Sequence, residues 1–147
     1  MAFQSDPATI LWRLHLRSPV TAVYLALATD AGRARFWAES AVERDGVIDF
    51  VFPNGLTWSG RILRATPPTH FAVEYLGRSE AAFLLADDGR QGTDLTLTDR
   101  GVPDADRVEV IAGWVSVLLA LKAAVDYGVD LRTHDPARTW DNGYVEN

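Results

Sequence analysis

The side chains best able to move protons or hold a metal near neutral pH are the three histidines, His15, His70 and His134. No two of them stand at helical metal spacing and no HExxH occurs, so the sequence predicts no metal site and no cofactor. The chain has no cysteine, which removes thiolate ligands and thiol nucleophiles together. Serine chemistry needs a hydroxyl beside a histidine and an orienting carboxylate. Ser116 has no such neighbours in sequence, and there is no G-x-S-x-G elbow. Its expected role is to relieve crowding or to bond back to the preceding turn. The acidic stretches Asp87-Asp88-Gly89 and Asp99 to Asp106 lack the calcium-loop frame with a glutamate at its end, so they read as solvated turns and helix capping.

What remains is recognition chemistry. Five Trp, six Phe and four Tyr in 147 residues provide large, rigid, mostly apolar surfaces, the material of small-molecule pockets. The residues expected to contact a ligand are Trp12, Leu14, Phe36, Trp37, Trp58, Phe71, Tyr75, Phe83, Trp114 and Leu118, with Ile62, Val73 and Leu97 beside them. The same side chains can equally fill a core, which a domain of this size needs in any case. A ligand is expected to arrive near Phe36-Trp37 and to lie under Trp114 and Leu118, with Tyr75 or the indoles giving polar specificity. For acid–base work the candidates are Arg13, Glu74 and Tyr75, although alternation turns Glu74 away from Val73 and Tyr75, toward solvent. No catalytic set is assigned, and a binder is expected ahead of an enzyme.

These side chains need elements to hold them. Ile10, Trp12, Leu14 and Leu16 alternate with Leu11, Arg13 and His15, the period of a strand with one buried face, which puts His15 on the wet side. Ser18-Pro19 reads as a helix N-cap with proline at the first helical position, leading a helix over Val20–Ala28. Thr29-Asp30-Ala31-Gly32 reads as a break, and Arg33–Trp37 as a second short helix. Turn chemistry at Asp45-Gly46, Pro53-Asn54-Gly55, Pro67-Pro68, Gly77 and Asp88-Gly89 then separates six apolar runs. They are Ser40–Arg44, Val47–Phe52, Thr57–Ala65, Thr69–Leu76, Glu80–Ala86 and Thr93–Thr98. After Pro103 the period changes to three and four through Val108, Ile111, Val115, Leu118 and Val125, predicting a helix over Asp106–Tyr127, capped by Asp104 or Asp106 and stopped at Gly128. About 22 residues at 1.5 Å each span roughly 33 Å, enough to cross a sheet. The prediction is one α+β domain over residues 1–147, with a core at about 9–128 and a tail, 129–147, that packs back through turns.

Net charge is −6, and Lys122 is the only lysine among scattered arginines, so nucleic-acid binding is not expected. MAFQSDPATI has no basic segment followed by an apolar one, and no uninterrupted apolar run approaches the roughly 18 residues of a bilayer span, so the expected location is the cytoplasm. The last helix is apolar over more than one stripe, since Trp114, Val117, Leu121 and Ala124 widen it. That surplus, with Leu63 and Leu84 on the outer sheet face, is compatible with a homodimer or another protein partner.

The element order, with Gly113-Trp114-Val115-Ser116-Val117-Leu118-Leu119-Ala120-Leu121-Lys122 in the last helix, Pro67-Pro68 between middle strands and Phe36-Trp37 after the first helices, resembles the START/Bet v 1-like (SRPBCC) superfamily. Within it the chain is similar to the branch named for homology to the activator of the heat-shock-protein-90 ATPase, from about Thr9 to Gly128. The resemblance implies a helix-grip fold: a seven-stranded curved antiparallel sheet, two short helices after strand one, and a long C-terminal helix across the sheet. It implies a cavity under that helix for a small hydrophobic or amphipathic ligand. It leaves open a cyclase or hydrolase in the same cavity, or a chaperone-associated or homodimeric interaction module.

Overall fold

The alternation that turns Ile10, Trp12, Leu14 and Leu16 inward shapes β1 (Thr9–Leu16) in the computed structural model, which describes residues 4–146. After it come α1 (Val20–Ala28), α2 (Asp30–Arg33), β2 (Ser40–Arg44), β3 (Val47–Val51), β4 (Thr57–Thr66), β5 (His70–Tyr75), β6 (Ser79–Asp87) and β7 (Thr93–Arg100). The long helix α3 (Arg107–Tyr127) follows, and single 3-10 turns lie at Leu76–Arg78, Asp104–Asp106 and Trp140–Asn142. All seven strands join one antiparallel sheet in the order β1-β7-β6-β5-β4-β3-β2, so the first strand pairs with the last. The fold is the helix grip. Positive φ at both Asp45 (52°) and Gly46 (79°) closes the β2–β3 hairpin as a two-residue turn of matching twist. A register shift between Ile62 and Arg64 bends β4 and adds to the curvature.

The inner face of the sheet carries Ile48, Phe50, Phe71, Val73, Phe83, Leu85, Leu95 and Leu97, all buried. α3 lays Trp114, Leu118, Leu121 and Ala124 onto it, while Val108, Val115 and Leu119 stay exposed on the other side. By length and average composition the stretch Asp104–Tyr127 would also suffice to cross a bilayer, but here one face of it is buried as the core helix.

Several local expectations are corrected. The second short helix begins earlier than the pattern places it, because Thr29 caps it, its hydroxyl accepting the Gly32 N–H at 3.0 Å. Residues 34–37 continue as turns, with the Trp37 N–H donating to the Arg33 carbonyl at 2.8 Å. Arg33 is fully buried, and its guanidinium donates to the carbonyls of Ala41 (2.9 Å) and Leu27 (3.1 Å) and to Asp30 (2.6 Å).

Ser18 does not cap α1. Its hydroxyl donates instead to Asp126 on the last turn of α3 (2.7 Å), and the backbone N–H groups of Arg17 and Ser18 donate to the same carboxylate at 3.0 and 3.1 Å. Burial opposes the charge on Asp126, but the Ser18 hydroxyl and these amides outweigh it and hold the carboxyl below its ordinary range. The end of α3 is thereby fastened to the β1–α1 corner. At the other end Asp106 occupies the N-cap position without a side-chain capping bond, and Asp104 lies in the 3-10 turn before it.

The tail lies against the body. Arg132 is buried and donates to the carbonyls of Ala38 (2.7 Å) and Ala34 (2.6 Å) while pairing with Asp130 at 3.0 Å.

Candidate functional site

One end of the grip stays open. A cavity of about 290 Å³ lies between Val110, Gly113, Trp114 and Val117 of α3 and the strand ends that carry Tyr75 and Asp99. The β3–β4 hairpin adds Phe52, Asn54 and Leu56, the β7–α3 loop adds Val102, Pro103 and Asp106, and the tail adds Trp140 and Asp141.

Its floor is aromatic. Tyr75 lies 5.1 Å from Trp114 and 5.5 Å from Trp37, centroid to centroid, and Trp37 lies 6.1 Å from Trp114. The Trp37 indole N–H donates to the Tyr75 hydroxyl oxygen at 3.0 Å. Burial pushes the Tyr75 hydroxyl far above its usual value, so it is a neutral phenol at any physiological pH.

Asp99 is the one ionisable group in this floor that the sequence reading missed. It is 1% exposed; its Oδ2 accepts the Trp114 indole N–H at 2.8 Å, and its Oδ1 has no hydrogen-bond partner. Burial drives its carboxyl pKa up, against the opposing pull of the Trp114 indole and the nearby Ser79 hydroxyl. The expectation of a solvated turn from Asp99 to Asp106 fails at its first residue because β7 runs two residues beyond Thr98. Thr93, Leu95 and Leu97 alternate inward, and the same parity turns Asp99 inward as well.

Of the ten predicted contact residues, Trp37, Tyr75 and Trp114 line the cavity and seven do not. Phe36, Phe71, Phe83 and Leu118 are buried within the packed core. Phe36 stacks on Trp37 at 5.7 Å, and Phe71 meets Tyr24 edge-on at 6.3 Å. Trp12 donates its indole N–H to the Ile111 carbonyl (3.1 Å), which ties β1 to α3 away from the cavity. Leu14 lies in a separate depression over β1 and β7 with Arg13 and His15. Trp58 donates to the Glu74 carbonyl at 3.0 Å, passing over Gly60, where a Cβ would stand 1.9 Å from that same oxygen. Periodicity finds the inward faces, but it cannot say at which end of the sheet the helix stands clear.

A way in at Phe36-Trp37 is also corrected, since both residues are 1% exposed. The mouth lies at Asn54, Leu56, Asp106 and the tail, where the Trp140 indole N–H donates to Glu109 (2.9 Å) and the Asn54 amide to Asp141 (2.8 Å). Ser116 reaches the tail too, its hydroxyl donating to the Val145 carbonyl rather than to the preceding turn.

Among the earlier acid–base candidates Arg13 is exposed and Glu74 sits on the outer face, which leaves Tyr75 in the cavity. The histidines lie elsewhere: His15 pairs with Asp88 at 2.8 Å, and His134 with Glu39 (2.7 Å) and Asp130 (2.6 Å). Among the described residues no three His, Cys, Asp or Glu side chains converge to hold a metal ion.

The sequence profile of the family described as activator of Hsp90 ATPase homolog 1-like protein matches residues 17–126. No curated protein matches the chain. Among solved structures, a protein from Staphylococcus saprophyticus superposes with a TM-score of 0.72 at 22% identity, over 84% of this chain and 96% of that one. The Aha1 dimer from Colwellia psychrerythraea gives 0.71 at 22% identity, over 82% and 97%. CalU16 from Micromonospora echinospora gives 0.65 at 28% identity, over 82% and 77%.

Proposed function

Since this chain belongs to the activator of Hsp90 ATPase homolog 1-like family, whose profile spans most of it, we propose that it binds a small apolar or amphipathic molecule in the cavity beside α3. The observation that carries the proposal is the cavity itself: about 290 Å³ walled by Trp37, Tyr75, Trp114 and Trp140, with one buried carboxyl. Apolar walls with a few placed polar groups are the usual construction of a ligand site, and this volume is near the lower end of such sites. The cytoplasm is the working place proposed for it, in keeping with the sequence.

The test is titration with the neutral apolar fluorophore N-phenyl-1-naphthylamine. Saturable enhancement at one probe per chain is expected. Linear, non-saturating partition, together with a structure in which side chains close the cavity, would overturn the proposal.

Asp99 favours a second reading, an acid–base enzyme of the cyclase or hydrolase type. A buried carboxyl whose pKa is pushed up by burial, in the wall of a cavity, is the kind of group that exchanges a proton with a bound substrate. Turnover of a bound natural ligand that disappears in Asp99→Asn, while binding persists, would support this reading. A third reading, homodimerisation, draws on exposed Val108, Val115 and Leu119 and on the dimeric Colwellia relative.

A further inference from the structure

Every charged residue that lines the cavity is acidic: Asp99 in the floor, and Asp106, Glu109 and Asp141 at the mouth. Among the described residues no lysine, arginine or histidine lines it. The three mouth carboxylates are exposed, and two of them already accept side-chain hydrogen bonds, so by themselves they specify nothing. Asp99 is different. One of its oxygens is fixed by Trp114 while the other, Oδ1, is buried and unpartnered in the wall of a pocket. A buried acceptor without a donor costs on the order of 1–3 kcal/mol, more when charged, and a ligand that supplies the donor recovers that free energy on binding. Ring faces of tryptophan and tyrosine attract cations, and Trp37, Tyr75 and Trp114 surround the same space.

We propose that the cavity selects a protonated organic amine: an apolar body seated among Trp37, Tyr75 and Trp114, with its ammonium N–H donated to Asp99 Oδ1. This inference rests on the reading of the cavity as a ligand site and adds the charge of the ligand. An anionic amphiphile is disfavoured, because its head group would meet four carboxyl side chains and no cation. A metal ion is disfavoured, because the described acids do not converge. Burial pushes the Asp99 carboxyl pKa up, and an ammonium at Oδ1 would supply a counter-charge that favours the charged form.

The test uses the full chain and three probes that share one body: 4-phenylbutylamine, 4-phenylbutanol and 4-phenylbutyrate, titrated by calorimetry and by shifts of the tryptophan indole N–H resonances. A charge-assisted bond made out of water predicts the amine to bind about tenfold or more tightly than the alcohol, with the carboxylate weakest. In Asp99→Asn, whose amide oxygen still accepts the Trp114 N–H, the amine is expected to fall to the affinity of the alcohol while the alcohol changes little. Glu80→Gln, exposed on β6 and outside the cavity, should leave the amine preference intact.

Amine affinity equal to or below that of the alcohol in the unaltered protein overturns the amine inference and leaves the pocket standing. That comparison needs no variant, so it decides the matter even if Asp99→Asn fails to fold. Absence of saturable binding by all three probes overturns the pocket reading and the amine inference together.

Discussion

Gly113 sits mid-helix in α3, where glycine is destabilising by about 0.5–1 kcal/mol relative to alanine. Its φ is not in the positive region that favours glycine, and a Cβ built there meets no heavy atom within 4 Å, so neither backbone conformation nor close packing requires glycine at this position. The open space over Gly113 belongs to the cavity it lines. Substitution should therefore separate stability from binding. Gly113→Ala should stabilise by about 0.5–1 kcal/mol, which for a chain of this length raises Tm by roughly 1–4 °C, with probe binding only mildly weakened. Gly113→Leu should keep that gain in helix propensity and place a branched side chain in the ligand's space, so probe affinity should fall about tenfold or more. Thermal unfolding followed by circular dichroism at 222 nm gives the first quantity and fluorophore titration the second. A lower Tm in Gly113→Leu would mean that the space is already filled. Unchanged affinity in a stably folded Gly113→Leu would mean that the ligand lies elsewhere.

Asp126→Ala should cost about 2–4 kcal/mol in urea unfolding, because it strands the Ser18 hydroxyl and two amides and unfastens α3 from the β1–α1 corner; a loss under 0.5 kcal/mol would refute that role. His134 is pushed above its ordinary pKa by hydrogen bonds to Asp130 and Glu39, so its contribution is fully present below the unfolded value and is lost as pH rises through the folded one. Stability relative to His134→Asn, which tolerates the positive φ of 56° at this site, should accordingly shrink as pH rises above the ordinary histidine value of about 6.5. The effect should be small, since His134 is 40% exposed, and a difference that grows with pH would contradict the sign. If Val115 and Leu119 form a homodimer face, sedimentation velocity at micromolar concentration should show a dimer that Leu119→Glu dissociates; a monomer in the unaltered protein would dismiss that face.

The fold was legible because its signals are local. Alternation in β1, Asp45-Gly46 at a hairpin and a change of period after Pro103 each follow from backbone geometry within a few residues. Their order, strand, two helices, six strands and helix, leaves few ways to cover one sheet face. Capping was less legible: Ser18 and Asp106 have the right chemistry for N-caps, but Ser18 is claimed by Asp126, 108 residues away. Thr29, which reads in the sequence as part of a helix break, caps α2 instead, while α1 starts without a side-chain cap.

The site lay mostly beyond the sequence. Alternation identifies which side chains face inward, but whether an inward aromatic packs solidly or borders a gap depends on where α3 diverges from the sheet. Trp37, Tyr75 and Trp114 border the gap, whereas Phe71 and Phe83, with the same parity and chemistry, do not. Asp99 could have been found by following the Leu95–Leu97 parity one step further. That its Oδ1 is buried without a hydrogen-bond partner was decided by the tertiary structure alone, because the fold brings the Trp114 indole to the other oxygen and seats the residue in the cavity wall.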